Sequence, residues 1–360
     1  MRLSQGRLIA IGLVVLALLG FVFLRGPTPA IEIKAETIES FGPFNLTNTV
    51  LTSWIVVIIM VATVYLGTRR RDLVPRGFQN VFEAALEAFY NLVVSVAGEK
   101  NGRRFFPVVA TIFFFVLVSN WLSLFPVFNA IGVAKEQDHG FVMERTDVGP
   151  LPLSWVSLSG PGNLSADSID EDDADSEQQA DSAREDGKLV GELIPLFRGP
   201  NTDLNTPLAL AIVSAIAVES WGIASLGLGA YGRKFFNFGG AFRGLFRLNF
   251  GQFFTGAIDA FVGVLELISE LVRLVSFTFR LFGNMFAGEV VILMFTFLTP
   301  LVLTIAFYGL ELFVGVIQAF IFAMLTLVFG IMAVTHGEHA AHEAEEARGG
   351  AAEQSVESNA

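Results

Sequence analysis

Seven polar residues share one face of a predicted helix in the C-terminal third of the chain. At about 100° per residue they fall within a band of roughly 80°. Its members are Gln252, Asp259, Glu266, Glu270, Arg273, Arg280 and Asn284. The rest of the segment is mainly Leu, Val, Ile and Phe. Because a charge at the centre of a bilayer costs at least about 3 kcal/mol, this face must contact protein or water. Such a row of ionisable groups is typical of an ion path.

Two long apolar segments must position this polar face. Residues 252–299 contain few helix breakers, Thr299-Pro300 interrupts the pattern, and apolar sequence resumes over 301–334. As helices they would measure roughly 70 and 50 Å, against a hydrocarbon core of about 30 Å. We therefore predict an antiparallel hairpin that lies steeply tilted or bent in the membrane.

Counting residues from the turn at 299–300 predicts which side chains of the hairpin face each other. Glu289 then lies opposite Glu311. Two carboxylates at the same depth repel each other when both are ionised, so one should remain protonated. Such a pair can hold and pass on a proton.

The same count places Arg280 opposite Phe320 and close to Gln318. An arginine is not deprotonated in a protein, so Arg280 would block proton hopping and offer a fixed positive charge to a moving carboxylate. The alternative is that Arg280 pairs with Glu270 or Gln318 and only holds two helices together. The number of ionisable groups on this face favours the ion path.

The composition is that of a membrane protein. Of 360 residues, 53% are hydrophobic and only 16% are charged, with a mean hydropathy of +0.59. Repeated apolar runs of bilayer length predict one polytopic all-α body. The absence of cysteine excludes disulfides and thiolate chemistry. Of the net charge of −12, residues 135–188 carry −10 and 337–360 carry −5, so the remainder is +3. Basic residues cluster at the ends of apolar runs rather than on a face suited to nucleic acid.

Basic residues also predict the sidedness of three earlier runs, 50–66, 105 to about 127, and 204–230. They flank these runs at Arg69-Arg70-Arg71, Arg103-Arg104 and Arg233-Lys234, which places those ends in the cytoplasm. Apolar spacing over 78–96 predicts a helix that lies in the interface without spanning. The run at 8–24 is either a cleaved signal peptide or a membrane anchor. The acidic loop lies outside, and its composition predicts disorder over 165–187.

Three segments of the hairpin region resemble one family. The segment Arg280-Leu281-Phe282-Gly283-Asn284-Met285-Phe286-Ala287-Gly288-Glu289 closely resembles the signature of subunit a of F-type ATP synthases, the stator of a membrane rotary motor. Residues 317–322 resemble the last helix of that family, and residues 201–206 resemble the segment that leads into the fourth run. The resemblance covers roughly 41–334.

The resemblance implies a non-enzymatic proton-channel subunit. It would carry protons through two half-channels to and from the carboxylates of a rotating c-subunit ring, and so couple proton flow to rotation and ATP synthesis. Its expected partners are the c ring, b-type peripheral stalk subunits, the catalytic head and membrane lipid, without nucleic acid and without a cofactor. The expected fold has about five core membrane helices, with the last two forming a tilted hairpin against the ring.

The resemblance also assigns roles to residues. It makes Arg280 the indispensable arginine that faces the ring. Glu311 stands where some members carry His, so a titratable group is retained. Asn284, Glu289 and Gln318 would line the path near Arg280. Glu266, with Arg273 downstream, also matches the family pattern, and the direction of the helix places it near the cytoplasmic exit. Glu270 is added to the expected path as a member of the polar face.

The expected organisation divides the chain into five parts. These are 1–30, signal peptide or anchor; 31–128, first membrane helices with a cytoplasmic interfacial helix; 129–200, acidic and partly disordered extracytoplasmic loop; 201–335, proton-channel membrane region; and 336–360, flexible acidic tail. The sequence leaves open whether the coupling ion is H⁺ or Na⁺.

Two competing classes make different predictions. A secondary transporter should show an inverted repeat between halves of the chain, and none is recognisable. A membrane hydrolase needs a nucleophile beside a base, whereas histidines occur only in the outer loop and the tail. Those tail histidines, with neighbouring glutamates, fit a flexible tail better than a metal site.

Several polar features have no assigned role. The run Gly227–Gly232 fits G-x-G-x-x-G but follows a membrane run rather than a strand, so we predict no nucleotide site. The acidic run 170–175 lacks the glycine of a calcium-binding loop and is predicted to be solvated. Glu219, alone in the fourth apolar run, either makes a polar contact or lies at an aqueous vestibule.

Overall fold

The architecture comes from a computed structural model that describes residues 33–41, 44–69, 76–125, 128, 131–148, 151–156, 168–169, 176–235, 250–299 and 302–357, together with 12 and 14–16. Five of its helices are long and apolar enough to cross a membrane. The predicted all-α membrane fold is therefore confirmed. Apart from those four residues, the N-terminal run 8–24 lies outside the described part of the chain, and its role stays a prediction.

Helices account for most of the described residues. In chain order they are α1 Asn48–Thr68, α2 Phe78–Ser123, α3 Ser176–Glu185, α4 Asn205–Leu226, α5 Leu228–Phe235, α6 Phe250–Leu298 and α7 Val302–Glu357. Within α2, Gly98 has φ 73° and ψ 165°, a left-handed conformation that favours glycine and kinks the helix. The helix predicted over 78–96 is the part of α2 that precedes this kink.

The fourth apolar run is shorter than the sequence suggested. Helix α4 ends at Leu226 because Gly227 adopts a φ of 80°, which only glycine adopts readily. The chain then turns into the short helix α5. Part of the predicted membrane run therefore lies in a separate element beyond the span.

The two long helices predicted for the hairpin are confirmed. Helix α6 has 49 residues, and the apolar part of α7, Val302–Thr335, has 34. At about 1.5 Å per residue these are roughly 74 and 51 Å long, well beyond the hydrocarbon thickness. The backbone of α7 stays helical to Glu357, through most of the tail predicted to be flexible.

Two small antiparallel sheets, which the sequence analysis did not predict, complete the fold. Strands β1 Thr37–Phe41 and β2 Phe44–Thr47 form a hairpin before α1. In the acidic loop, β3 Gly132–Val148 pairs with β4 Leu151–Val156, β5 Ser168–Ile169 and β6 Leu189–Pro195.

Residues 176–185, predicted to be disordered, form helix α3 instead. Ala183 of this helix packs against the buried side chains of Val142 and Val190, which lie on the paired strands β3 and β6. Arg184 also forms an ion pair with Asp181 at 3.2 Å. The neighbouring sheet thus supplies the apolar contact that the acidic segment lacks by itself.

The chain forms two compact units. The first comprises Met1–Tyr65, Phe114–Thr206 and Leu281–Ala319; the second comprises Leu66–Phe113, Pro207–Arg280 and Phe320–Ala360. In α6 the division follows Arg280, and in α7 it follows Ala319. Each unit contains its own cluster of polar side chains.

Candidate functional site

In the first unit, an amide pair joins α6 to α7. Nδ2 of Asn284 donates a hydrogen bond to Oε1 of Gln318 at 2.8 Å. The side chain of Gln318 is buried, and its Nε2 has no hydrogen-bond partner among the residues that the structure describes. Buried polar atoms are nearly always hydrogen-bonded, so a water molecule or an ion-carrying group can bind at this donor.

The carboxylate of Glu311 lies against the backbone of Gly288. A Cβ added to Gly288 would overlap the carboxylate, so only glycine leaves room for it. Glu311 is 8% exposed, and its Oε1 lacks a hydrogen-bond partner within the described ranges. The predicted register, Glu289 opposite Glu311, is therefore correct to within one residue.

Glu289 forms a buried ion pair that the sequence analysis missed. Its Oε2 lies 3.7 Å from Nε of Arg198, and the two side chains are 16% and 7% exposed. Nη1 of Arg198 also donates to the carbonyl oxygen of Lys34 at 3.1 Å. A buried charge needs such a partner, because an uncompensated one is strongly destabilising. Glu289 and Glu311 therefore have different surroundings, because the guanidinium of Arg198 lies beside Glu289.

The end of α2 fixes the position of α7 near Glu311. Nδ2 of Asn120 donates to the carbonyl oxygen of Gly315 at 3.3 Å, and Nε1 of Trp121 donates to that of Leu312 at 3.1 Å. Asn201, before α4, donates to Oδ1 of Asn120 at 2.7 Å. These hydrogen bonds link the turn of α7 that carries Glu311 to two other parts of the first unit.

In the second unit, two arginines of the polar face of α6 have different environments. Nη1 of Arg273 forms an ion pair with Oε2 of Glu270 at 2.7 Å, and its Cζ lies 3.7 Å from the ring centroid of Phe329 on α7. Arg273 therefore has the partners expected of a residue that joins two helices.

Arg280, in contrast, is exposed. Its hydrogen-bond partner is Oγ of Ser276, at the long distance of 3.5 Å, and it forms no ion pair with any residue that the structure describes. Of the two partners that the alternative names, Glu270 forms its ion pair with Arg273, and Oε1 of Gln318 accepts a hydrogen bond from Asn284. Apolar side chains, including the exposed Val275 and Phe279, lie beside it on α6.

The predicted path residues thus fall into two groups. In the first unit, Asn284 contacts Gln318, and Glu311 lies against Gly288, the residue next to Glu289. The second unit contains Glu266, Glu270 and Arg280. Asp259 is exposed, and the side chain of Gln252 lies outside the described part.

No group of three His, Asp or Glu side chains in the described part could hold a metal ion. The acidic run 170–175 and the side chains of the tail histidines lie outside that part, so the predictions made for them stay predictions.

Gly288 provides a test of the first group. On the proton path that the resemblance to subunit a implies, Gly288→Ala should displace the Glu311 carboxylate and lower proton flux per complex by about tenfold, because proton transfer requires hydrogen-bond reach. Gly309→Ala on α7 is the matched control, since a Cβ there meets nothing within 4 Å. ATP-driven acidification of vesicles measures the flux. Equal flux in the two variants would show that the position of Glu311 is unimportant.

These features define a multi-pass all-α membrane protein whose two longest helices bury ionisable groups. The family model described as "ATP synthase A chain" matches residues 50–330. The chain belongs to this family.

Individual relatives agree with the family match over most of the chain. The chain is 29% identical to the ATP synthase subunit a of Moorella thermoacetica over 306 residues, which are 85% of this chain and 99% of the relative. It is 25% identical to the ATP synthase subunit a of Gloeobacter violaceus over 312 residues, 86% of this chain and 94% of the relative. The similarity therefore extends over nearly the whole length of both relatives.

Proposed function

We propose that this chain is the stator that conducts protons through two half-channels to and from a c-subunit ring, and so couples proton flow to rotation. Membership of the ATP synthase A chain family supports a role in that complex. This function requires groups that take up and release protons, and a fixed positive charge that meets the carboxylates of the ring. The two polar clusters contain the titratable groups, and Arg280 is the fixed charge.

The observation that carries the proposal is the environment of Arg280. A guanidinium on a membrane helix is costly unless it pairs with an anion or contacts water. Arg280 is exposed and has no ion-pair partner in the described part of the chain, while apolar residues flank it. A carboxylate on another subunit satisfies this requirement, and the ring carboxylates are such groups.

The first cluster fits the half-channel through which protons reach the ring. Glu289 and Glu311 are titratable groups of the hairpin, and the Asn284–Gln318 pair adds a chain of hydrogen-bonding atoms. A carboxylate that takes up a proton and passes it along such a chain moves charge without exposing it to lipid. By the predicted sidedness this half-channel opens to the outside.

The second cluster fits the half-channel through which protons leave. Glu266 and Glu270 lie in the second unit and towards the predicted cytoplasmic end of α6. A ring carboxylate that releases its proton there becomes an anion, and Arg280 is then its partner. Because Arg280 stays charged, it prevents direct proton hopping between the half-channels. Each proton crossing 100 mV supplies about 2.3 kcal/mol, so a leak here would uncouple the motor.

Cysteine crosslinking tests whether Arg280 faces the ring. The chain has no native cysteine, so an introduced one is unique within it. Ser276→Cys places a thiol on the exposed turn beside Arg280. Paired with a cysteine beside the carboxylate of the c subunit, it should form a disulfide in oxidised membranes, because a disulfide requires Cα atoms within about 7 Å.

Thr278→Cys is the matched control. Thr278 lies two residues further along α6 but is only 3% exposed. It should not crosslink to the ring under the same conditions. Absence of a crosslink from Ser276→Cys in an assembled complex, at every ring position near the carboxylate, would contradict the proposed interface.

A further inference from the structure

Glu219 is a carboxylate on the membrane helix α4 that the proposed path does not use. A charged group in a membrane helix needs a partner, and this one has a specific partner in the second unit. The hydroxyl of Tyr231 on α5 donates a hydrogen bond to Oε2 of Glu219 at 2.5 Å. A hydrogen bond to an ionised acceptor is stronger than one between neutral groups. Glu219 therefore has a specific hydrogen-bond partner on a neighbouring helix.

Two glycines allow Tyr231 to reach Glu219. Gly227, with its φ of 80°, reverses the chain after α4 so that α5 begins at once. A Cβ at Gly222 would come within 2.5 Å of the Tyr231 ring, so glycine is needed for the ring to lie against α4. Tyr231 is 5% exposed in this position. Gly227 and Tyr231, both within the G-x-G-x-x-G pattern, thus help to form this polar contact.

The carboxylates of α6 lie close enough to influence the same hydroxyl. Burial raises the pKa of Tyr231 most, followed by the hydrogen bond and charge of Glu219, and then by the charges of Glu270 and Glu266. Three carboxylates from two helices therefore act on one hydroxyl. The raised pKa also means that the tyrosine stays protonated and does not form a stable phenolate.

Packing within the second unit places these groups at similar positions along the helices. Trp221, two residues after Glu219, packs against Gly330 of α7, where a Cβ would lie 2.6 Å from its ring. Arg273, the ion-pair partner of Glu270, lies over the ring of Phe329, the preceding residue of α7. Helix α7 thus contacts α4 and α6 at adjacent residues, close to Glu219 and Glu270.

We propose that Glu219 and Tyr231 form a proton-relay station of the second half-channel, connected to the carboxylates of α6. In one transfer, a protonated carboxyl group of α6 gives its proton through water to the Tyr231 oxygen and becomes a carboxylate, while the hydroxyl proton of Tyr231 moves to the carboxylate Oε2 of Glu219. The tyrosine is neutral before and after, and Glu219 is neutral until it releases the proton to water. This inference rests on the proposed function, because it adds residues to one of its half-channels.

A role limited to holding α4 against α5 makes a different prediction. A glutamine at position 219 could still accept the hydrogen bond from Tyr231 but could not take up the proton. Glu219→Gln therefore separates a relay from a structural contact. Tyr231→Phe removes the hydroxyl and keeps the ring that packs on Gly222. Both changes are small in volume, so the packing of α4 and α5 is retained.

The experiment measures ATP-driven proton pumping by the assembled complex in vesicles, divided by the amount of complex. Glu219→Gln and Tyr231→Phe should each lower this flux by about 10²-fold, the scale of a lost proton-transfer group. The double variant should be no worse than the singles, because the two groups act in series. Tyr90→Phe is the control, since Tyr90 is a ring on α2 whose edge packs against Phe106.

Two results would overturn the relay. The first is near-parental flux per complex in Glu219→Gln. The second is a fall in the amount of complex with unchanged flux per complex, which would indicate a structural contact. Arg280→Ala measured in parallel separates this inference from the proposed function. If Arg280→Ala abolishes pumping and Glu219→Gln does not, only the relay fails.

Discussion

Replacing Arg280 by alanine should leave the complex assembled and abolish its ATP-driven proton pumping. Arg280 has no ion pair among the described residues, so its removal breaks no salt bridge there. In the proposed mechanism, what is lost is the fixed positive charge that meets each ring carboxylate and separates the half-channels. We expect pumping in membrane vesicles to fall to background. Passive proton leakage should rise, because the barrier to direct hopping is gone.

Arg280→Lys should also fail, although it keeps a positive charge at rest. An ammonium is a point charge that loses its proton when desolvated, whereas a guanidinium stays charged and offers a planar fork of donors. Arg273→Lys is the matched control on the same helix. Arg273 pairs with Glu270 in the structure, and a lysine can keep that ion pair. This control should retain most of the pumping activity.

The amount of assembled protein decides between the two roles of Arg280. A residue that only joined helices would lower assembly when replaced, while the remaining complexes would still pump. Near-normal pumping per complex in Arg280→Ala would contradict the proposed mechanism. Equal loss of pumping in Arg273→Lys and Arg280→Lys would show that the experiment detects any exchange of arginine for lysine on α6.

The sequence predicted contacts well where they depend on local helix geometry. The hairpin has one turn, so counting from it placed Glu311 within one residue of its observed neighbour. Helical periodicity also identified the polar face of α6. Periodicity could not show that Glu270 pairs with Arg273 and that Arg280 has no such partner among the residues described, because several residues on one face compete for each charge.

Contacts between segments far apart in the chain could not be predicted from the sequence. Arg198 reaches Glu289 from the loop before α4, and no local pattern links the two residues. The nearby segment 201–206 drew attention to this region but not to the arginine. Tyr231 was not predicted as a site residue, because the glycines around it have the spacing of a phosphate-binding loop and give no indication of a contact with Glu219. The strands of the acidic loop were missed because its charged composition outweighed the short apolar stretches that pair.

Replacing Glu311 or Glu289 by glutamine should lower ATP-driven pumping by about 10²-fold, because each change removes a titratable group from the proposed first half-channel with little change in shape. The c ring should remain bound in both variants. A histidine at position 311 should be tolerated better than a leucine, because imidazole can still take up and release a proton near neutral pH. Glu144→Gln, an exposed glutamate on β3, is the control and should have no effect.

The two carboxylates should differ in their effect on assembly. Glu289→Gln removes the carboxylate that lies 3.7 Å from the buried guanidinium of Arg198, and breaking a buried ion pair from one side is destabilising. The amount of complex should therefore fall for Glu289→Gln but hold for Glu311→Gln. Adding Arg198→Gln to Glu289→Gln removes the cation of this ion pair as well and should restore assembly without restoring pumping. Restored pumping in this double variant, or parental pumping by Glu289→Leu, would exclude Glu289 from the proton path.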